Sequence, residues 1–241
     1  MLSDRQTKIL KAIIEEYIDT AEPISSDLLE KKYNLGVSPA TIRNEMLSLT
    51  KEGYLKQPHT SSGRIPTSLG IKFYIDNLMQ QKNLSVVDEV SAKEKIWDLR
   101  FNVDRLLRQT ARVLAERTRA LAVTATEDGD VYSAGTANIL DMPEFYDIDV
   151  TRNILNLLDQ YTQLQDLFFK RSYGEEAVHI VMGEDLNWPY IEPVGFVFSE
   201  FHAGNTNGIV GVIGPCRLNY SYIIPTVKYF GNLISEIGRG W

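Results

Sequence analysis

Residues 36–67 read GVSPATIRNEMLSLTKEGYLKQPHTSSGRIPT, and this stretch decides the fold of the first third of the chain. Ser38 is a natural helix N-cap, and Pro39 suits the first helical position, where its missing N–H costs nothing. Gly53 can end that helix, and a polar, turn-rich tip, HTSSG, then separates two short strand-like runs. The stretch therefore predicts a helix followed by a β-hairpin. The predicted strands are residues 54–58 and 64–67.

Two further helices are predicted before this stretch. Ser3 and Gln6 have the spacing of a capping box and open a helix of about 17 residues. The chain breaks near Pro23, and Ser25 or Ser26 then caps a second, short helix. Three helices with a short turn before the third, followed by a two-stranded hairpin, describe a winged helix-turn-helix over residues 1–80.

The third helix has two chemically different sides. Three apolar positions share one stripe and are predicted to face the core: Ile42, Met46 and Leu49. At 100° per residue, the opposite side and its flanks carry small or polar residues. These are Ala40, Asn44 and Lys51, with Thr41, Arg43 and Ser48 beside them. The outward side is therefore polar and short of acids.

Charge is distributed unevenly along the chain. The formal net charge is -7, yet residues 1–80 carry ten Lys and Arg against ten Asp and Glu. The segment 53–75 has no acid and carries Lys56, Arg64 and Lys72. Because nucleic-acid binding depends on a local patch rather than on the total, the acidic balance does not exclude a DNA-binding surface.

Two interpretations of this N-terminal region remain open. The outward helix face could simply be solvated in a three-helix bundle. The hairpin favours DNA, because it is free of acids and offers hydroxyl, imidazole and guanidinium donors of the kind that phosphate oxygens accept. Lys51 on the helix and Lys56 beside the hairpin tip add positive charge to the candidate surface.

The sequence gives no sign of catalysis, a cofactor or a bound metal. Three histidines are dispersed without metal-ligand spacing, and no nucleophile elbow or phosphate loop occurs. The single cysteine, Cys216, excludes an internal disulfide and fits a reducing compartment. No apolar run approaches the roughly 20 residues of a membrane span. We expect a cytoplasmic protein that is not an enzyme, with no membrane contact.

Residues 81–119 are predicted to form a linker and one long helix, from Lys95 to about Arg119. Its apolar side chains recur every three or four residues. Two interpretations are open: the stripe is a coiled-coil seam, or it packs on the sheet of its own domain.

Residues 120–241 are predicted to form a separate α/β domain. Apolar, strand-like runs alternate with turns, and two helical pieces and a last helix near Pro225 complete the pattern. The predicted strands are 120–125, 131–137, 177–182, 195–201 and 208–214. We expect a mainly antiparallel sheet with helices on one side, so that the whole chain is of the α+β class.

Several stretches together resemble the HrcA family of bacterial heat-inducible transcription repressors. They are LSDRQTKILKAIIEEYI, GVSPATIRNEM, QPHTSSGRIPTSLG, GTANILDMPEF and GIVGVIGPCRLNYSYIIPTVKY. The resemblance implies a winged-helix domain, a regulatory and dimerisation domain of GAF-like fold over 120–241, and repression of chaperone operons. It also implies a homodimer on double-stranded DNA, at an inverted-repeat operator called CIRCE, with the chaperonin GroEL as a partner.

The resemblance assigns DNA-facing residues to this chain. They are Ser38, Thr41, Arg43 and Asn44 on the helix, and His59, Thr60, Ser61 and Arg64 on the wing. The chain departs from the longer members of the family, which carry an inserted dimerisation domain where only EDGDV separates two strands here. It resembles a minimal form of the repressor, in which the long helix and the sheet are expected to carry the dimer contact.

Two rival functions are weighed against repression. One is a ligand-responsive regulator with a small-molecule sensor domain, which a pocket of convergent polar groups in residues 120–240 would favour. The other is a scaffold without DNA contact, which the loss of Arg43, Asn44 and the wing donors would have favoured. These residues are present.

Overall fold

A computed structural model of the chain describes residues 2–60 and 62–239, which divide into two compact units. The N-terminal unit comprises the residues up to Gln80 together with Arg217–Ser221. The C-terminal unit comprises Gln81–Cys216 and the residues from Tyr222 onward. The segment Arg217–Ser221 had been expected in the C-terminal region, but the Arg217 guanidinium donates to the carbonyl of Ile18 at 3.0 Å.

The N-terminal unit has four helices and a two-stranded hairpin. They are α1 (Asp4–Thr20), α2 (Ser26–Lys32), α3 (Pro39–Lys51), β1 (Leu55–Lys56), β2 (Ile65–Pro66) and α4 (Ser68–Asn77). The predicted capping box forms at α1, where the Ser3 hydroxyl accepts from the Gln6 backbone and the Gln6 side chain accepts from the Ser3 backbone. Ser25 caps α2, and Ser38 caps α3 with Pro39 at its first position, as predicted.

A single apolar core holds these helices together. Ile9, Leu10 and Ile13 of α1 are fully buried, and they belong to one cluster with the apolar stripe of α3. Ile42, Met46 and Leu49 are the buried residues of α3, which confirms the predicted core-facing side. Because burying each such side chain stabilises the fold by about 1.5–3 kcal/mol, this stripe fixes which side of α3 faces outward.

One carboxylate is buried beside this core. Glu16 is 3% exposed, lies 2.7 Å from the Lys32 ammonium and accepts a hydrogen bond from the Tyr33 hydroxyl at 3.0 Å. The hydrogen bond from Lys32, aided by Tyr33 and opposed by burial, holds the pKa of Glu16 below its ordinary value. The pair ties the end of α2 to α1.

The C-terminal unit is a five-stranded sheet with helices around it. Its strands are β3 (Leu121–Thr126), β4 (Val131–Ala134), β5 (His179–Met182), β6 (Val194–Ala203) and β7 (Thr206–Pro215). Its helices are α5 (Val86–Trp97), α6 (Val103–Thr118), α7 (Thr136–Ile139), α8 (Ile148–Asp159), α9 (Tyr161–Phe168), α10 (Gly183–Leu186) and most of α11 (Tyr220–Gly238). The strand order is β4-β3-β7-β6-β5 and every pairing is antiparallel, as predicted.

The expectation that helices cover one side of this sheet was wrong, because both sides are covered. On one side Val123 packs in a cluster with Ile154 of α8 and Leu164 of α9. On the other side the Thr124 hydroxyl donates to the Leu107 carbonyl of α6 at 3.2 Å. All six residues of β3 are buried, including two threonines, and burial that does not alternate along a strand is the pattern of a doubly covered strand.

The single helix predicted from Lys95 to Arg119 was also wrong. The α5 helix ends at Trp97, and α6 begins after Asn102, whose side chain accepts from the Arg105 backbone at 2.9 Å. An asparagine at this position favours an N-cap over a helix interior, which explains the break. The apolar stripe of α6 is buried and contacts β3 and β4, so it packs on its own sheet and is not a coiled-coil seam.

Candidate nucleic-acid interface

The α3 helix presents a row of exposed residues on the side opposite its buried stripe. Four of them follow helical spacing along the row and one lies beside it, and all are exposed: Ala40, Asn44, Leu47 and Lys51, with Arg43 alongside. Among the described residues, neither the Arg43 nor the Asn44 side chain has a hydrogen-bond or ion-pair partner. Two polar groups in the middle of one helix face are thus available to a ligand.

Unlike Arg43 and Asn44, the polar side chains at the first turn of α3 make hydrogen bonds with each other and with the helix backbone. The Ser38 hydroxyl accepts from the Thr41 backbone at 3.3 Å and lies 3.1 Å from the Thr41 hydroxyl. Ser38 is exposed and Thr41 half-buried. Both can still reach a phosphate oxygen from the N-terminal turn, where backbone N–H groups and the helix dipole favour an anion.

Two acids, Glu45 of α3 and Glu52 at its C-cap, are engaged by side chains of α1. Arg5 lies 3.4 Å from the Glu45 carboxylate. The Glu52 carboxylate accepts from the Gln6 amide at 3.3 Å and from the Ser48 hydroxyl at 3.0 Å. Negative charge near the candidate surface is therefore engaged on the α1 side, which leaves a positive balance around Arg43 and Lys51. The sequence analysis found the outward side of α3 short of acids but did not identify the partners of these two.

The hairpin beyond α3 forms the predicted wing, with Leu55 opposite Pro66 and Lys56 opposite Ile65. Its regular strands are shorter than predicted, two residues each. The α3 helix contacts β1, so the wing and the exposed row belong to one continuous piece of the N-terminal unit.

The wing tip is braced by two side chains that the sequence interpretation missed. The Gln57 amide donates to the carbonyls of Thr60 and Ser62 at 2.9 and 3.0 Å. The Ser62 hydroxyl donates to the His59 carbonyl at 2.7 Å and accepts from the His59 N–H at 3.0 Å. His59 and Thr60 are exposed on this braced turn, whereas Ser61 lies outside the described residues.

Two cationic side chains, Lys56 and Arg64, flank the tip of the wing and differ in their contacts with the rest of the unit. Lys56 is exposed on β1. Arg64 is half-buried, and its Nε donates to the Thr50 hydroxyl of α3 at 3.1 Å. Its backbone pairs with that of Ile24 through hydrogen bonds of 2.8 and 2.9 Å. Arg64 is thus partly a structural link between the wing and α3, a role that its position in the sequence did not reveal.

Gly63 makes that link possible. A Cβ at this position would lie 2.2 Å from the Ile24 carbonyl oxygen, closer than any real contact. The backbone of the wing therefore passes directly against the segment between α1 and α2. This close approach explains the glycine of the SSGR run without invoking DNA.

Leu47 is the exposed residue of α3 that the sequence interpretation passed over. Its side chain is 42% exposed, one turn beyond Asn44 on the outward side. Its helical spacing from Asn44 was the available signal, but a leucine is assigned to a core by default. An exposed leucine beside an asparagine can give an apolar contact with a thymine methyl group next to an adenine.

The C-terminal unit offers less for a ligand. A groove of about 240 Å³ is lined by Asn153, Leu157, Gln163, Asp166, Trp188, Pro189 and Ile191. Its volume is below the roughly 300–1,000 Å³ of typical small-molecule sites. A second, more open groove of about 360 Å³ lies along α5, outside residues 120–240, where a sensor site would be expected. Within residues 2–60 and 62–239, no three His, Cys, Asp or Glu side chains gather as metal ligands. No helix in these same ranges has both the length and the apolarity to cross a bilayer.

The N-terminal unit has an outward polar row on its third helix, followed by a braced β-wing. This arrangement defines a winged helix-turn-helix protein, a class in which the third helix enters the major groove. Residues 70–224 match the family described as HrcA protein C terminal domain. Since this match covers more than half of the 241 residues, the chain belongs to the HrcA family.

Curated relatives align with nearly the whole chain. The heat-inducible transcription repressor HrcA of Carboxydothermus hydrogenoformans is 28% identical over 338 positions, covering 98% of this chain and 98% of the relative. That of Symbiobacterium thermophilum is 28% identical over 340 positions, covering 99% of each. Because both alignments are longer than the 241 residues of this chain, part of each relative has no counterpart here.

A solved structure shares the fold. The crystal structure of a hypothetical protein at 2.2 Å resolution superimposes with a TM-score of 0.82, covering 100% of this chain and 99% of that one. Its sequence is 19% identical, so the likeness concerns the fold alone.

Proposed function

We propose that this chain is a heat-inducible transcription repressor that binds an inverted-repeat operator of the CIRCE type and controls heat-shock chaperone operons. The observation that carries the proposal is the exposed row of α3, where Arg43 and Asn44 have no partner among the described residues, beside a braced, acid-free wing. Membership of the HrcA family and the similarity to heat-inducible transcription repressors of other bacteria support it. By this proposal the chain is a cytoplasmic regulator and not an enzyme.

Each residue of the interface has a chemical role in this proposal. Asn44 reads an adenine through a bidentate hydrogen bond, and Leu47 contacts a neighbouring thymine methyl group. Arg43 and Lys51 extend the contact along the groove. Phosphates are held at the first turn of α3 and at the wing. The residues of these two phosphate contacts are Ser38, Thr41, Lys56, His59, Thr60, Ser61 and Arg64.

The C-terminal unit, in this proposal, is a reduced GAF-like regulatory domain that joins two copies on the operator. One winged-helix module buries only about 600–1,000 Å² on DNA, and a two-fold operator requires two such modules at a fixed spacing. Heat inactivates the repressor and free GroEL restores it. A sensor function would need a pocket of convergent polar groups in residues 120–240, and the groove near Asn153, at about 240 Å³, is small for one.

The test is a fluorescence anisotropy titration of the full chain on the inverted repeat upstream of its own chaperonin genes. A scrambled duplex of equal composition is the control, and both titrations are repeated after a heat pulse with and without GroEL. We expect binding at least 10³-fold tighter to the operator, lost after heating and regained with the chaperonin. Equal affinity for both duplexes would overturn the proposal. Recovery of binding that does not depend on GroEL would contradict only the proposed role of the chaperonin, and operator binding would stand.

A further inference from the structure

The α5 helix carries a largely exposed apolar outer side. At its C-terminal end, the Lys93 ammonium lies 4.8 Å and the Arg100 guanidinium 5.4 Å from the centre of the Trp97 ring. The inner side of α5 is buried through Ala92 and Ile96. Five large side chains on and just after the helix remain exposed. They are Val86 at 75%, Val87 at 77%, Val90 at 50%, Trp97 at 38% and Phe101 at 80%. An apolar row of this size on one helix is a feature of an interaction surface.

The helix that presents this row is held firmly. The Arg117 guanidinium of α6 lies 3.2 Å from the Asp88 carboxylate and donates to the Asp88 carbonyl at 2.9 Å. The Tyr229 hydroxyl of α11 donates to the Glu89 carbonyl at 2.7 Å. These contacts fix the inner side and the N-terminal half of α5, so its outer side is a pre-formed surface.

We propose that this row is the contact between two copies of the chain, formed by α5 packing antiparallel on the α5 of the partner subunit across a two-fold axis. This inference rests on the proposed function for its need of two copies. The row on α5 also provides a contact between copies that the apolar stripe of α6 cannot, because that stripe is buried against its own sheet. Closed two-fold dimers are the commonest assemblies, and their interfaces are self-complementary.

The distribution of side-chain size favours the antiparallel arrangement. Small valines, Val86 and Val87, lie at the start of α5. The bulky Trp97 is its last residue, and Phe101 lies in the turn that follows. Antiparallel packing places bulky groups against small ones and keeps the two helices evenly spaced. Parallel packing would put Trp97 against its own copy and leave the valine end open.

The charges on the outer side of α5 also favour the antiparallel arrangement. The axis that pairs Val90 with the partner's Trp97 passes between Lys93 and Glu94. Because the Lys93 ammonium already lies 2.9 Å from the Glu236 carboxylate of its own chain, the partner's Glu94 would join an existing ion pair. Lys93, Glu94 and Asp98 also line a shallow groove of about 360 Å³ between Val90 and Trp97, which the partner's side chains would fill. Both signs of charge at the centre of an apolar row fit a second copy of the same helix.

The contact is expected to be weak in free solution. One helix pair of this length buries less than the roughly 1,200 Å² of a standard stable interface, so binding to adjacent half-sites would complete it. Trapping is therefore the appropriate measurement. Residues 90 and 97 are about 10 Å apart along a helix, beyond the 4.4–6.8 Å between the Cα atoms of a disulfide.

The experiment uses two full-length variants, Val90→Cys and Trp97→Cys, each in a Cys216→Ser background, oxidised separately and as a mixture. We expect disulfide-linked dimers in the mixture and almost none in either variant alone. Cross-linking of each variant with itself would indicate parallel or random contact and would overturn the proposal. So would the absence of a cross-link in a mixture whose components bind operator DNA as the parent does.

A second pair of variants keeps the inference separate from the proposed function. Val90→Asp should bind a duplex with one half-site as the parent does, but lose cooperative binding to the full inverted repeat. Leu140→Asp, at a residue that is 54% exposed elsewhere in the same unit, is the matched control and should keep cooperativity. Unchanged cooperativity in Val90→Asp would overturn the α5 contact. Failure of the parent chain itself to prefer the operator would instead count against the proposed function.

Discussion

At the scale of single residues, Asn44 is the side chain on which the proposed recognition of operator bases depends most. It is exposed in the middle of α3 with no partner among the described residues, and its amide matches the adenine edge. We expect Asn44→Ala to weaken operator binding by about 1–3 kcal/mol and to relax the base preference, with little change on scrambled DNA. Asn232→Ala, at an exposed position of α11, is the control in the same anisotropy titrations. An equal loss on both duplexes would mean that α3 is not the reading helix.

Leu47 provides an independent check on the same helix face. If its exposed side chain packs on a thymine methyl group, replacing that thymine with deoxyuridine should weaken binding of the parent chain. The same replacement should have no effect on Leu47→Ala, because the contact is already gone. Scanning deoxyuridine through the operator with both proteins identifies the base. Additive effects at every thymine would show that Leu47 does not touch a methyl group.

Lys56 and Arg64 are expected to differ although both are cations of the wing. Lys56→Ala should flatten the slope of log affinity against log salt by about one unit and leave the free energy of unfolding nearly unchanged. Arg64→Ala should also lower that free energy by about 1 kcal/mol, because the Thr50 contact is lost.

Thr50→Val separates the two roles of Arg64, because it removes the acceptor and keeps the guanidinium. It should lower stability without changing the salt slope, as measured by urea unfolding and by titration at several salt concentrations. A normal salt slope in both Lys56→Ala and Arg64→Ala would show that the wing does not meet the phosphate backbone.

At the scale of elements, the link between α1 and α2 should make the N-terminal unit sensitive to acid. The folded-state pKa of Glu16 lies below its ordinary value of 4.5, so its contribution is complete above that pH and is lost as the pH falls through the lower, folded-state pKa. We expect Glu16→Gln to reduce the free energy of unfolding by about 1–2 kcal/mol at neutral pH, with the difference fading in acid.

Glu15→Gln is the control, since the Glu15 side chain is 41% exposed and lies 3.9 Å from Lys11. An exposed pair of this kind contributes little, so the stability of this variant should stay near that of the parent. Urea unfolding of both variants from neutral pH to about pH 3 makes the comparison. A Glu16→Gln difference that persists unchanged in acid would show that the carboxylate charge is not the cause.

The sequence predicted the elements best where a local signal was complete. The caps at Ser3, Ser25 and Ser38 and the polar turn of the wing were all visible in the chain. The break after α5 was missed because the apolar spacing continues through 98–102, and the N-cap at Asn102 is a weaker signal than that spacing. The second covered side of the sheet was missed because a run such as LAVTAT indicates a buried strand but not which elements pack on its two sides.

The candidate interface was likewise predicted in part. Outward position follows from helical period, so Arg43, Asn44 and Lys51 were found from the sequence. The bracing of the wing by Gln57 and Ser62 and the second role of Arg64 depend on contacts between residues that only the folded chain brings together. Leu47 was overlooked because residue type favoured the core while spacing favoured the surface.

At the scale of the whole molecule, the proposed repressor combines a unit that reads DNA with a unit that is proposed to hold two copies together. The relatives carry a segment that this chain lacks, and the exposed row of α5 is the dimer contact proposed for the shorter chain. Two weak modules bound side by side gain affinity from each other, so occupancy should rise steeply over a narrow range of concentration. Any stress that unfolds one unit would release both half-sites together.

Hydroxyl-radical footprinting of the full chain on the promoter of its own chaperonin genes tests the central claim most directly. The account predicts two protected half-sites related by two-fold symmetry, with centres a whole number of helical turns apart, about 10–10.5 base pairs each. Both should appear at the same protein concentration. Uniform protection without a repeat, protection of a single half-site at saturation, or no protection at concentrations that fill a control operator would contradict it.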